Sequence, residues 1–388
     1  MTQRKVYIGS FTTDAGGQGA GITLATQDPE SGRLTVADAG EEGVVARTSS
    51  PAFLASHPSL PVLYAVNERA EGSVVAYQRT QDGSLTELGG GATAGNGPCH
   101  LSVHPSGEFL LVANYGSGTL TVFRLDEDGA LGARTDVVRH SGSGKDPKRQ
   151  SEPHAHQIQV DPTGRWILAT DLGIDAVLTY RLDAETGQLA RGPVTRTAPG
   201  TGPRHLVFGS SPTDSSAAAP NESPETAGGT GTAGATGTPG SRSSVLVYLV
   251  GELSSTVHAF LLDPDTGAMR PVGSAPSLAT DLSSPGPENY PSELALSEDG
   301  AFLYVANRGR DVIGTLAVSG AAMRPVTDVP TGGSWPRHLR VVGPNLYVAN
   351  ERSHQVTHFR LDPSSGVPEP TGMVLDVKSP ACVHPVDS

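Results

Sequence analysis

Short apolar runs rich in Val, Leu, Tyr and Phe, each stopped by Asn, Asp, Gly or Pro, follow one another along this chain. Such runs predict short β-strands joined by tight turns, and no amphipathic-helix spacing competes with them. The runs are copies of one unit. The segment 98–114, PCHLSVHPSGEFLLVAN, has relatives at 51–67, 153–171, 291–307 and 336–350. From the leading Pro to the closing Asn or Asp the offsets are 16, 16, 18, 16 and 14 residues in chain order for 51, 98, 153, 291 and 336. A split copy reads PRHLVF at 203–208 and LVYLVGE at 246–252, an offset of 49. The excess matches a Ser, Thr, Ala, Gly and Pro-rich stretch at 210–243. Such a stretch buries too little apolar surface to order itself, so a disordered loop insertion is expected there.

After each closing residue an apolar or aromatic side chain follows about nine positions on: Tyr77, Phe123, Tyr180, Phe260, Leu316 and Phe359. A turn such as LDEDG or LDPDTG comes next. The period of roughly 45 residues is that of a four-stranded propeller blade. Six copies are evident. The seventh is assembled from the two ends, with YIGSF at 7–11 beside PACVHP at 380–385. The expectation is an all-β, seven-bladed β-propeller, one domain over 1–388, closed by N- and C-terminal strands in one blade. Closure removes free sheet edges.

Composition changes this picture little. Gly (48) and Pro (31) suit many turns. Two cysteines, Cys99 and Cys382, cannot supply a disulfide framework. Asp plus Glu outnumber Lys plus Arg, 40 to 27, for a formal charge of -13, which argues against nucleic acid as a partner. The N-terminus, MTQRKVYIGSF, lacks a signal-peptide apolar run, and no stretch approaches the roughly 20 apolar residues of a membrane span. No membrane contact and a cytoplasmic location are expected.

In a propeller, equivalent positions of every blade converge on the central channel. Asn67, Asn114, Asn307 and Asn350 close their strands, where an Asn side chain can satisfy its own turn. Asp171 and Glu252 align with that Asn. A carboxylate at a buried rim costs desolvation unless something uses it, which singles out Glu252 as a functional residue. His57 and His104 fall in HPS turns and read as turn residues. His100, His205 and His338 share one strand position, as channel lining or as core. The PHAH segment carries His154 and His156 and one extra residue. A bulge there would re-aim one of the two as an acid/base group. Arg204, Arg308 and Arg337 would form a cationic patch suited to a carboxylate or phosphate.

The PHAH, GPRH and VANR segments and the strand ending at Glu252 resemble the seven-bladed lactonase family. That family includes propeller-type 6-phosphogluconolactonases and the fungal 3-carboxy-cis,cis-muconate lactonizing enzymes. The resemblance covers nearly all of the chain except 210–243. In the muconate branch the functional set is a His, a Glu and two Arg. Matched by motif, these are His154 or His156, Glu252, Arg204 and Arg308. What the resemblance implies is hydrolysis of an anionic sugar lactone, 6-phosphogluconolactone first. Glu252 or a PHAH histidine would be the base, and Arg204, Arg308, Arg337, His205 and His100 would bind substrate. A cycloisomerase acting on a carboxylated muconate, or a non-catalytic propeller presenting a face to a protein, are the alternatives. The last fits poorly with 5% aromatic residues. Arginines at the ring repel cations, so no metal and no cofactor are expected.

Overall fold

The computed structural model describes residues 3–209, 243–283 and 285–386. The insertion expected at 210–243 lies outside the described residues except for Ser243. The described strands form seven antiparallel sheets. Six are four-stranded meanders, such as Pro98–Val103, Phe109–Asn114, Thr119–Leu125 and Leu131–Arg139, or Pro336–Val342, Asn345–Asn350, Gln355–Leu361 and Pro368–Asp376. The seventh joins the two ends: Pro380–Val386 pairs antiparallel with Arg4–Ser10, which pairs with Ile22–Gln27. The expected closure is therefore present, in register from Lys5↔Val386 to Gly9↔Cys382. Among the described residues, no helix is long and apolar enough to cross a membrane.

Burial explains the sequence pattern. The second strand of a blade packs on both faces against neighbouring blades. Val62–Asn67, Phe109–Asn114 and Asn345–Asn350 are buried at every residue and so read as unbroken apolar runs. The outer strands face water on one side and alternate. Apolar clusters fill each seam between blades; Leu111 and Val122 of one blade, for example, meet Ile158 and Leu178 of the next. Polar latches cross the same seams. Tyr7, Tyr64, Tyr248 and Tyr304 donate their hydroxyls to the carbonyls of Gly83, Gly129, Gly320 and Gly366 in the following blade, at 2.6 to 3.0 Å. Tyr347 closes the ring on Gly32. Each of these glycines turns the third strand into the fourth at positive φ, a conformation that disfavours other residues.

The Asn residues brace the blades as expected. Asn114 donates to Thr121 Oγ1 at 3.1 Å, and Asn350 to Thr357 Oγ1 at 2.9 Å. His57 accepts the backbone N–H of Leu60 in its turn, at 2.9 Å. Asp171 takes the Asn position and is also structural: its Oδ2 lies 2.6 Å from Nδ1 of the fully buried His140, whose Nε2 is 2.9 Å from the Tyr180 hydroxyl.

One register differs from the sequence reading. Pro203 pairs with Gly251, as Pro98 does with Asn114 and Pro336 with Asn350. Gly251, not Glu252, stands at the Asn position. A Cβ at Gly251 would meet Ser254 Oγ at 2.5 Å and Thr201, so those residues occupy the space an Asn fills elsewhere. Glu252 lies one residue further on, level with Phe11, Glu68, Tyr115, Leu172, Arg308 and Glu351.

Candidate active site

That shift places Glu252 in the uppermost of three rings of side chains around the channel. The second ring follows the residue opposite the Asn position or its equivalent, a Pro in six blades and Ala155 in the PHAH blade. It comprises Ala52, Cys99, His156, Arg204, Ser292, Arg337 and Ala381. The third lies one residue deeper: Phe53, His100, Gln157, His205, Glu293, His338 and Cys382. Inner-strand register shifts between Pro98 and His100, Ala155 and Gln157, and Pro336 and His338. The bulge expected at PHAH therefore recurs in other blades. It aims the second-ring residue along the channel, and in the PHAH blade that residue is His156. His154 sits on the rim, stacked on Tyr115 with ring centroids 4.4 Å apart and its Nδ1 2.9 Å from the Tyr115 carbonyl.

The structure brings Glu252, Arg204, Arg308 and His156 together. Glu252 Oε2 lies 2.8 Å from Arg308 Nη2 and 3.1 Å from Arg204 Nε. Oε1 lies 2.6 Å from Nη2 of Arg149. Backbone carbonyls fix the two inner guanidiniums: Arg308 Nε donates to Tyr290 of its own blade at 3.1 Å, and Arg204 Nη1 to Ser292 of the next blade. Glu252 is 3% exposed. Burial alone would raise its pKa, but Arg308, Arg204 and Arg149 together lower it to about 2. One carboxylate does not balance three guanidiniums. Burial and the neighbouring Arg308 bring even Arg204 down to about 10.

His156 is buried, and its pKa lies well below the ordinary value because of desolvation and then the charges of Arg204, His205 and Arg337. Both causes favour the uncharged form of His156, whose Nδ1 is 3.9 Å from Cys99 Sγ. Its ring lies 5.0 Å from that of His205 and 5.5 Å from Tyr115. Arg337 sits across the ring, over Phe11 at 4.5 Å and between Glu68 and Glu351 at 3.6 and 3.4 Å.

His205 and His100 lie deeper than the mouth. His205 Nδ1 is 2.9 Å from Glu293 Oε2, and His100 packs on Phe53 at 4.3 Å. With His338, held down to about 3 chiefly by burial, they plug the channel. Above the plug, Glu68, Cys99, His156, Arg204, His205 and Arg337 are among the residues around a cavity of about 10 Å³, room for about one water. A larger cavity of about 640 Å³ opens beside Arg149, lined also by Lys148, Ser255, Asn289 and Tyr290. Another, about 390 Å³, lies at the opposite mouth. Among the described residues, no group of three or more His, Cys, Asp or Glu is placed to hold a metal ion.

A family model described as a seven-bladed β-propeller lactonase matches residues 5–385. The chain belongs to that lactonase family. Within it, the chain is 30% identical over 390 residues to the 6-phosphogluconolactonase of Bacillus subtilis (strain 168), covering 99% of this chain and 98% of that protein. A 6-phosphogluconolactonase of Formosa agariphila is 26% identical over 377 residues, covering 93% of each. The solved periplasmic gluconolactonase PpgL of Pseudomonas aeruginosa superposes with a TM-score of 0.83 at 27% identity, covering 100% of this chain and 99% of that one.

Sequence reasoning missed Arg149 and Glu68. Arg149 lies on the connection between blades, outside the repeat. Asp146 Oδ1 accepts the backbone N–H groups of Lys148 and Arg149 at 2.8 and 3.2 Å, which sets the turn that sends Arg149 to Glu252. Glu68 did carry a signal, since it follows the closing Asn of its blade.

Proposed function

We propose that this protein hydrolyses a sugar lactone, with 6-phosphogluconolactone the leading substrate. One observation carries the reading: a buried His156 beside the Arg204 and Arg308 guanidiniums at one mouth of a lactonase-family propeller. Hydrolysis needs a proton acceptor for the attacking water and positive charge for the oxyanion that forms on the carbonyl. His156 is the acceptor. His156 is tied up in no ion pair among the described residues, whereas Glu252 has both oxygens engaged by guanidiniums. Its role is to hold Arg204 and Arg308, whose uncompensated charge stabilises the oxyanion. The cavity beside Arg149 and Lys148 takes the phosphate end, where a guanidinium and an ammonium favour a dianion. The proposed phosphorylated substrate fits a cytoplasmic location.

The experiment is an assay of purified protein on 6-phosphogluconolactone, corrected for spontaneous opening, before and after exhaustive EDTA treatment. Catalysed opening unchanged by EDTA is expected, because the guanidiniums at the site repel a cation. Loss on chelation that a divalent cation restores would overturn the metal-free mechanism. No catalysis of any aldonolactone would overturn the function.

A further inference from the structure

Opening a lactone takes two proton transfers. The attacking water loses a proton, and the ring oxygen must gain one as the acyl C–O bond breaks, since an alkoxide is a poor leaving group. His156 takes the first. Donors for the second are few at this mouth: the guanidiniums are too basic, Glu252 is an anion, and burial raises the Cys99 thiol far above its ordinary range.

Glu68 differs from Glu252 at the equivalent position of its blade. It follows Val62–Asn67 directly. Its Oε2 is buried and has no hydrogen-bond partner, and it lines the small cavity shared with His156 and Arg204. The nearest cation, Arg337 Nη2, is 3.6 Å from Oε1, beyond hydrogen-bond reach. A buried, unpartnered oxygen is unfavourable on a carboxylate and well used on a carboxylic acid that donates to substrate. Desolvation accordingly raises the Glu68 pKa. Arg337 and Arg204 oppose the rise and Glu351 adds to it. Glu68 and Glu252 are thus pushed in opposite directions, which leaves Glu68 as the one of the two that can carry a proton to substrate.

We propose that Glu68 is the general acid of the reaction, giving its proton to the departing ring oxygen. This rests on the lactonase reading above. His156 takes a proton from water, and the resulting hydroxide oxygen bonds to the carbonyl carbon. The adduct collapses, the ring C–O bond breaks with its electron pair on oxygen, and that oxygen takes the Glu68 proton. The proton on His156 then re-protonates Glu68, and the product acid releases its own to solvent. The sum is lactone plus water to carboxylate plus H⁺.

The test compares wild type, Glu68→Gln and Glu68→Asp on 6-phosphogluconolactone across pH, with thermal melts to check folding. Gln keeps the size but has no acidic proton. The expected result is a kcat about 10²–10³-fold lower for Gln, a KM within a few-fold of wild type, and partial recovery for Asp. Wild-type kcat should fall as pH rises through the Glu68 pKa, and that limb should vanish in the Gln variant. Arg337, Arg204, Glu351, Cys99 and His156 all face Glu68 and remain in every variant. A Gln variant with wild-type kcat and an intact limb would overturn the proposal and leave His156 as the donor. Equal losses for Gln and Asp with the limb retained would also overturn it, as a structural effect. A wild type inactive on every lactone would sink the lactonase reading and this proposal together.

Discussion

Glu252→Gln is expected to lose stability and turnover together. The side chain sits among Arg204, Arg308 and Arg149 at 2.6 to 3.1 Å, and Arg204 and Arg308 are themselves 3% and 6% exposed. Removing its charge leaves two buried guanidiniums facing each other. Breaking a buried pair this way costs about 3–5 kcal/mol, a large share of the roughly 5–15 kcal/mol that holds a domain together. Turnover should fall by about 10²–10⁴, because Arg204 and Arg308 lose the anchor that aims them. The pH dependence has a definite sign. The pKa is depressed from 4.5 to about 2 in the folded protein. The stabilisation is thus fully present above the unfolded value near 4.5 and is lost as pH falls towards 2. Thermal melts of both proteins between pH 2 and 7 should converge at the acid end. A variant as stable as wild type at pH 7 would contradict the role assigned to Glu252.

Removing residues 379–388 should have the larger effect on folding. Pro380–Val386 is the inner strand of the closing blade, and Ala381, Cys382, Val383 and Val386 are all buried. Each fully buried Val contributes about 1.5–3 kcal/mol, and each ladder hydrogen bond about 0.5–1.5 kcal/mol. Ser379 also accepts the Phe11 N–H and takes the Gln18 N–H on its hydroxyl. Together these contributions rival the whole stability of a domain. The expected outcome is loss of the cooperative melt and binding of a hydrophobic dye. A shortened chain melting within a few degrees of wild type would contradict closure by the two ends.

The blade count and the pairing of 7–11 with 380–385 were legible because each blade repeats the same burial pattern, and repetition is a sequence property. The register of Glu252 was not. The insertion splits its blade, and LVYLVGE aligns with LYVAN-like strands equally well by its Gly or its Glu. Only the pairing of Pro203 with Gly251 decides. The choice between His154 and His156 depended on the register: Ala155, not Pro153, pairs with Asp171 as Pro98 does with Asn114, so His156 takes the bulged position. Arg149 was illegible because its loop follows no period; its position comes from Asp146 and from Gln150, which donates to Asp175 at 2.7 Å. Arg204 and Arg308 stood out because arginines at ring positions of an acidic chain make a cationic patch suited to an anion.

The most direct test of catalysis at the upper mouth is the opening of 6-phosphogluconolactone by His156→Asn set beside wild type and His154→Asn. Asn keeps a polar side chain of similar reach but cannot take up the proton. A fall in kcat of about 10²–10⁴ for His156→Asn, with His154→Asn within a few-fold of wild type and both variants folded, is the predicted result. Full activity in His156→Asn would contradict it.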